Sequence, residues 1–329
     1  MEEMVMGQER IIHAALLGAG TVGSGVYKLV KDLEEEIISK TGARLVVDKI
    51  LVRDTTKARE GIPSELLIDR WDEILNDPKI EIVIEVMGGI RPALTWLEEA
   101  LRAGKQVVTA NRICSRNIGE HAVRCGGSPE KCDLHFEAAV AGAIPIIRPL
   151  RQSLAASELT EVMGIVNGTT NYILTRMTED GMGYEEALAL ATKLGYAESD
   201  PTADVEGYDA GRKVAIMASI AFNSNVTFSQ VYTEGITHIT AEDIRYAKEF
   251  GYVIKLIGMT RLTEGGVEVK VHPMLLPEQH PLSTVRDSFN AVFIHGEACD
   301  DAMFMGRGAG QLPTASAVMG DVIDVMRNI

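Results

Sequence analysis

Asp209 and Lys213 stand four residues apart in Tyr208-Asp209-Ala210-Gly211-Arg212-Lys213. That spacing puts both on one face of a helix. The run that follows, Val214-Ala215-Ile216-Met217-Ala218-Ser219-Ile220-Ala221, is apolar nearly all round, which predicts a buried helix and turns the pair toward a cavity. A buried lysine needs a partner, and its pKa falls readily toward the range useful for proton transfer. Interconversion of an alcohol and a carbonyl needs such a group at oxygen while hydride moves at carbon. The plainer reading is an ordinary i,i+4 ion pair of about 0.3–0.5 kcal/mol. Just before the pair, Glu198, Ser199, Asp200, Asp204 and Glu206 make a short acid-rich loop, with Asp204 expected as the helix N-cap.

A second motif carries the other half of such a reaction. Gly18-Ala19-Gly20-Thr21-Val22-Gly23 fits G-x-G-x-x-G, follows an apolar strand and opens an amphipathic helix. The glycines allow a tight turn and close approach of the backbone to a pyrophosphate, which the helix N-terminus then holds. At the end of the next strand, Arg53 and Lys57 suit the 2′-phosphate of NADP, and Asp54 suits the ribose of NAD. The two cations tilt the expectation to NADP, with NAD possible.

The elements that must position these residues follow from periodicity. Apolar runs at Ile11–Leu17, Leu45–Val52, Ile80–Met87, Gln106–Thr109 and Asp133–Ala138 read as strands, alternating with helices over Thr21–Ile38 and Pro92–Ala103. This implies an α/β, Rossmann-type doubly wound parallel sheet. Beyond it, strands Glu158–Val166, Val253–Leu262 and Val267–Leu276 mix with helices Tyr172–Asp180, Tyr184–Leu194, Val205–Phe222 and Ala241–Phe250. Thr263-Glu264-Gly265-Gly266 suits a hairpin turn. A second, α+β domain with a mainly antiparallel sheet is expected, and a last helix over Thr314–Asn328.

The 329 residues suffice for two cores, and 46% hydrophobic with 24% charged is ordinary for a globular chain. A net charge of −15 disfavours nucleic-acid and anionic-membrane partners, and leaves a small-molecule substrate. The start has no basic n-region and no apolar run is long enough to span a bilayer, so a cytoplasmic protein is expected. Cys114, Cys125 and Cys132 lie near His121 and His135, but no Cys-x-x-Cys pair is present. With Cys299 they read as reduced cysteines rather than a zinc site.

Several segments taken together resemble homoserine dehydrogenase along almost the whole chain. They are the glycine loop, Val108-Thr109-Ala110-Asn111, Phe136-Glu137-Ala138, Gly164-Ile165-Val166-Asn167-Gly168-Thr169-Thr170-Asn171, the Glu198–Lys213 segment, Val271-His272-Pro273, Ser288-Phe289-Asn290-Ala291-Val292 and Gly308-Ala309-Gly310-Gln311-Leu312-Pro313-Thr314. The resemblance implies reversible NAD(P)H-dependent reduction of L-aspartate 4-semialdehyde to L-homoserine, on the route to threonine, methionine and isoleucine. It implies Lys213 as proton donor and Asp209 as the acid that orients substrate. Glu198 would hold the substrate amino group, and Asp204, Asn167, Gly168 and Thr169 would border it. The cofactor would meet Gly18, Gly20, Thr21, Val22, Gly23, Gly88, Thr109, Asn111, Arg112 and Gly308. A monovalent cation, usually sodium, would lie at Glu137, Val140, Gly142 and Ile144. The resemblance also implies a homodimer built through the second domain, residues 141–308. The nucleotide-binding domain, residues 1–140, would be rejoined by the last helix at 309–329.

Arg112 departs from the family pattern, which has a lysine there facing both nicotinamide and substrate. Arginine keeps the charge and can hold a carboxylate, but it does not shuttle protons. This leaves two other readings open: action on another small hydroxy acid or aldehyde, and a non-catalytic NADP-binding protein. The cation turn, Ala141-Gly142-Ala143, has fewer glycines than is usual. The chain ends at Ile329 soon after the family's core helix, so neither a C-terminal regulatory domain nor a fused aspartate kinase is expected.

Overall fold

The computed structural model describes residues 10–111 and 133–329. The chain divides into two compact units: Met1–Ala139 with Gly310–Ile329, and Val140–Ala309.

In the first unit six strands form one parallel sheet in the order β3-β2-β1-β4-β5-β6. They are β1 (Arg10–Leu17), β2 (Ala43–Leu51), β3 (Leu67–Ile68), β4 (Ile80–Glu85), β5 (Gln106–Thr109) and β6 (Leu134–His135). Successive side chains of β1 feed opposite faces, so from Ala14 to Leu17 the strand is apolar on both faces rather than alternating. Ile12, Ala14 and Leu16 join a core with α1 (Thr21–Asp32), α2 (Glu34–Thr41) and the C-terminal helix Gln311–Asn328. Ala15 and Leu17 join a core on the other face with α4 (Ala93–Arg102). The short α3 (Asp72–Leu75) precedes β4. Strand order reverses between β1 and β4, which opens a crevice at their C-terminal ends.

Two expectations change here. The helix predicted over Thr21–Ile38 is two helices, because Leu33 leaves helical geometry at φ −113° and ψ 23°. Glu34, Glu35 and Glu36 then favour a fresh helix start against the positive end of the dipole. The strand predicted over Asp133–Ala138 pairs only at Leu134–His135, and Glu137–Ala139 is a 3₁₀ turn.

In the second unit the sheet runs β12-β11-β7-β9-β10-β8, antiparallel except where β8 meets β10. Its strands are β7 (Leu159–Ile165), β8 (Tyr232–Thr233), β9 (Tyr252–Thr263), β10 (Gly266–Pro277), β11 (Phe289–Gly296) and β12 (Asp300–Arg307). Helices α5 (Gly168–Asp180), α6 (Tyr184–Lys193), α7 (Thr202–Val205), α8 (Tyr208–Ala221) and α9 (Ala241–Glu249) complete it. Thr263 pairs with Gly266, so the hairpin turn is the dipeptide Glu264-Gly265. The β11–β12 hairpin was not predicted. Ala302, Met303, Met305 and Gly306 of β12 carry little strand propensity, and pairing to β11 fixes their conformation.

The helix predicted over Val205–Phe222 is interrupted at Gly207, which adopts φ 78°. Gly207, not Asp204, is the N-cap of α8, and Asp204 sits inside α7. Helix α8 is seated on the sheet by missing side chains. Gly164 of β7 and Gly258 of β9 pair across the sheet, and a Cβ on Gly258 would lie 2.2 Å from Val214 Cγ2. The residue before Val214 is Lys213. Among the described residues no helix is long and apolar enough to cross a membrane.

Candidate active site

The glycine loop joins β1 to α1. Gly18 has φ 101°, and its N–H donates to Leu51 O at 2.9 Å. A Cβ on Gly23 would lie 2.0 Å from Gly18 O, so the loop closes this tightly only with glycine there. Gly20 is the N-cap of α1 with no side-chain cap bond and no acid in the first turn, and among the described residues nothing lies within 4 Å of its missing Cβ. An uncapped, unobstructed helix N-terminus without negative side chains fits a pyrophosphate. Thr21 and Val22 open that helix.

Arg53, Asp54 and Lys57 are exposed at the end of β2. Asp54 Oδ1 accepts from Thr56 N at 2.9 Å and from Thr56 Oγ1 at 2.6 Å. These bonds hold the carboxyl below the usual carboxylate range. Arg59 Nη1 donates to Asp54 O at 3.1 Å and Lys57 O at 2.7 Å, which sets the loop that displays the cations.

At the ends of β4 and β5, Gly88 has φ 74° and Thr109 is fully buried. Asn111 N donates to Thr109 Oγ1 at 2.9 Å. Arg112 and three of the cysteines, Cys114, Cys125 and Cys132, lie outside the described residues, as does His121.

In the second unit Lys213 and Asp209 are buried on α8. Lys213 Nζ lies 2.7 Å from Asp209 Oδ2 and donates to Val166 O at 2.5 Å. Asn167 is the N-cap of α5, its Oδ1 accepting from Thr170 N at 2.9 Å. Its Nδ2 donates to Asp204 Oδ1 at 2.7 Å and to Asp209 Oδ2 at 3.0 Å. Four predicted residues therefore meet: Lys213, Asp209, Asn167 and Asp204. Thr169 Oγ1 donates to Tyr196 O at 2.9 Å, and a Cβ on Gly168 would lie 2.8 Å from Ser288 O. Glu198 stands in the exposed segment between α6 and α7, and among the described residues no hydrogen bond ties it to the cluster.

Of the predicted cation ligands, Glu137 belongs to the first unit and Val140, Gly142 and Ile144 to the second. Ala141 and Gly142 turn the chain with φ 57° and 60°. Ala143 N donates to Arg307 O at 3.0 Å, and a Cβ on Gly142 would lie 2.3 Å from Gly308 O. This buried turn offers carbonyl oxygens, the donor type that suits a hard cation.

Residues 18–114 match the family described as homoserine dehydrogenase, NAD binding domain, and residues 145–323 match homoserine dehydrogenase. The homoserine dehydrogenase of Bacillus subtilis (strain 168) is 45% identical over 321 residues, covering 97% of this chain and 74% of that protein. This chain belongs to the homoserine dehydrogenase family. The Corynebacterium glutamicum homoserine dehydrogenase is 47% identical, with 98% of this chain and 73% of that one covered. The crystal structure of a homoserine dehydrogenase from Thiobacillus denitrificans superposes with a TM-score of 0.91 at 42% identity, covering 97% of this chain and 74% of that one. A putative homoserine dehydrogenase from Archaeoglobus fulgidus gives 0.83 at 32% identity, with 96% and 99% covered. As a homoserine dehydrogenase, the chain is an oxidoreductase that binds a nicotinamide dinucleotide on its first unit.

Two further buried polar residues of this chain leave little mark in the sequence. Glu85 is fully buried at the end of β4, and its one signal was an acid closing the apolar run Ile82-Val83-Ile84. Lys255 is buried in β9, where its Nζ donates to Asn171 Oδ1 at 2.9 Å and Val285 O at 2.5 Å. Asn171 Nδ2 donates to Asp287 O and Phe289 O at 2.9 and 3.1 Å, tying α5 to the segment before β11. Nothing in the local pattern of β9 marks a lysine that turns inward.

Proposed function

We propose that this enzyme reduces L-aspartate 4-semialdehyde reversibly to L-homoserine with NADP, and that Lys213 carries the proton. The observation behind this reading is the buried Lys213–Asp209 pair, held from one side by Val166 O and from the other by Asn167 Nδ2. The bound dinucleotide supplies hydride to the aldehyde carbon. Lys213 delivers a proton from Nζ to the carbonyl oxygen, so hydride and proton together make the alcohol, and the reverse reaction returns both. Asp209 keeps Lys213 oriented and supports its charged form. Glu198 and Asp204 supply negative charge for the substrate ammonium, and Gly168 and Thr169 border the same turn.

Arg112 stands where the family has a lysine, so it acts by charge alone, on carboxylate or carbonyl, and leaves Lys213 as the proton carrier. Arg53 and Lys57 favour NADP. Asp54 supports that choice because its Oδ1 is committed to its own turn rather than to a ribose. A monovalent cation at Glu137, Val140, Gly142 and Ile144 and a homodimer complete the proposal. The test is oxidation of NADPH and NADH by purified protein with L-aspartate 4-semialdehyde. Turnover with NADPH favoured is expected, and Arg53→Ala should weaken NADPH more than NADH. No turnover of this aldehyde by folded protein overturns the substrate, and would favour another small hydroxy acid or aldehyde shaped by Arg112. Equal losses for the two cofactors overturn the NADP assignment.

A further inference from the structure

β4 ends on Glu85, which has no exposure to solvent. A carboxylate at such depth is costly unless its oxygens are bonded. Glu85 Oε1 accepts from Met87 N at 2.7 Å and Gly88 N at 3.3 Å. Its Oε2 accepts from Thr109 Oγ1 at 2.5 Å. Burial raises its pKa and these bonds oppose the rise. The bonding continues outward, because Thr109 Oγ1 accepts from Asn111 N and Asn111 Nδ2 donates to Gly89 O at 2.6 Å. One carboxylate thus joins the loop after β4 to the loop after β5.

The same carboxylate reaches the glycine loop through Met87. A Cβ on Gly18 would lie 3.0 Å from Met87 Cγ and 3.2 Å from Met87 Cα, so Met87 forms the wall against which that loop turns. Gly88 and Gly89 hold φ 74° and 79°, and among the described residues nothing lies within 4 Å of either missing Cβ. Among the described residues, packing does not force this conformation. A well-packed apolar side chain would stabilise the sheet as well as a buried charge does. What the acid adds is a fixed loop geometry at the end of the sheet where strand order reverses, the place at which dinucleotides lie in this architecture.

We propose that Glu85 is a positioning residue for the dinucleotide: its two oxygens lock segments 87–89 and 109–111 into the shape that receives the nicotinamide–ribose half. The proposal rests on the first unit binding a nicotinamide dinucleotide. It is tested by titrating NADPH into wild type, Glu85→Gln and Glu85→Leu, with melting temperatures and the KM for both NADPH and aldehyde. Glu85→Gln keeps the shape but removes the charge and one acceptor. It should weaken NADPH about tenfold, and Glu85→Leu more, while the aldehyde KM stays within about twofold. Thr109→Val should add little on top of Glu85→Gln, because both break one bond. A purely structural acid would lower the melting temperature and leave NADPH affinity alone. A folded Glu85→Gln that binds NADPH like wild type overturns the proposal and leaves the cofactor reading standing. A wild type that binds no dinucleotide overturns both.

Discussion

Asn167 Nδ2 donates at 3.0 Å to the Asp209 oxygen that lies 2.7 Å from Lys213 Nζ. The same amide donates to Asp204, and its oxygen caps α5. One side chain therefore starts a helix, bonds the acid beside Lys213 and joins two acids in the same cluster.

Asn167→Asp separates the two duties. It keeps an acceptor for Thr170 N, so thermal stability should fall by less than the ~1 kcal/mol of a lost cap. It loses the donor to Asp209 and puts a third carboxylate beside two others, so kcat should fall about tenfold or more. Asn167→Ala should lose both stability and turnover. Wild-type turnover by Asn167→Asp, in steady-state kinetics alongside a thermal melt, would show that the amide does not orient Asp209.

The glycine loop makes a contrasting pair of predictions. Gly23→Ala would place a Cβ 2.0 Å from Gly18 O, so it should destabilise the first unit and abolish NADPH binding. Among the described residues Gly20→Ala meets no atom within 4 Å, and it keeps an ordinary extended backbone. It should leave the melting temperature nearly unchanged and still weaken NADPH, because the added methyl enters the space a phosphate needs. Unaltered NADPH affinity in Gly20→Ala would place the pyrophosphate elsewhere.

Lys255 links stability to pH. Burial lowers its pKa from 10.5 to about 8, against the opposing pull of Glu179 and Asp287 and with Arg286 adding to the fall. Between pH 8 and 10.5 the unfolded chain keeps a proton that the folded chain has released, so this residue makes the fold more stable as pH rises through that window. The gain is about 3 kcal/mol at most, from 1.36 kcal/mol per pKa unit. Denaturant melts across that range should show wild type gaining on Lys255→Met. A difference between the two that does not change with pH would contradict the account.

Local spacing made part of this molecule legible. Asp209 and Lys213 declare themselves by an i,i+4 interval in an apolar helix, and Gly18, Gly20 and Gly23 by their place between strand and helix. Both signals lie within one turn of chain. Contacts across the fold left no such mark. Asn167 reaches Asp209 from 42 residues away, and nothing near either residue says that they meet. Asp204 looked like a cap because Asp caps helices, but Gly207 takes that place with φ 78° and Asp204 turns to Asn167 instead. Asp54 bonds to Thr56 within its own turn, which an acid after a strand does not announce. Glu85 and Lys255 are charged residues in strands, and their inward direction follows from loops that a strand pattern does not describe. The β12 strand exists because β11 lies beside it.

Lys213→Met tests the central claim most directly, with NADPH oxidation by L-aspartate 4-semialdehyde as the readout and NADPH affinity measured beside it. Methionine fills a similar volume but carries no proton. The account predicts that kcat falls by about 10²–10⁴-fold while NADPH affinity stays within about twofold of wild type. Near-wild-type turnover by Lys213→Met would contradict it.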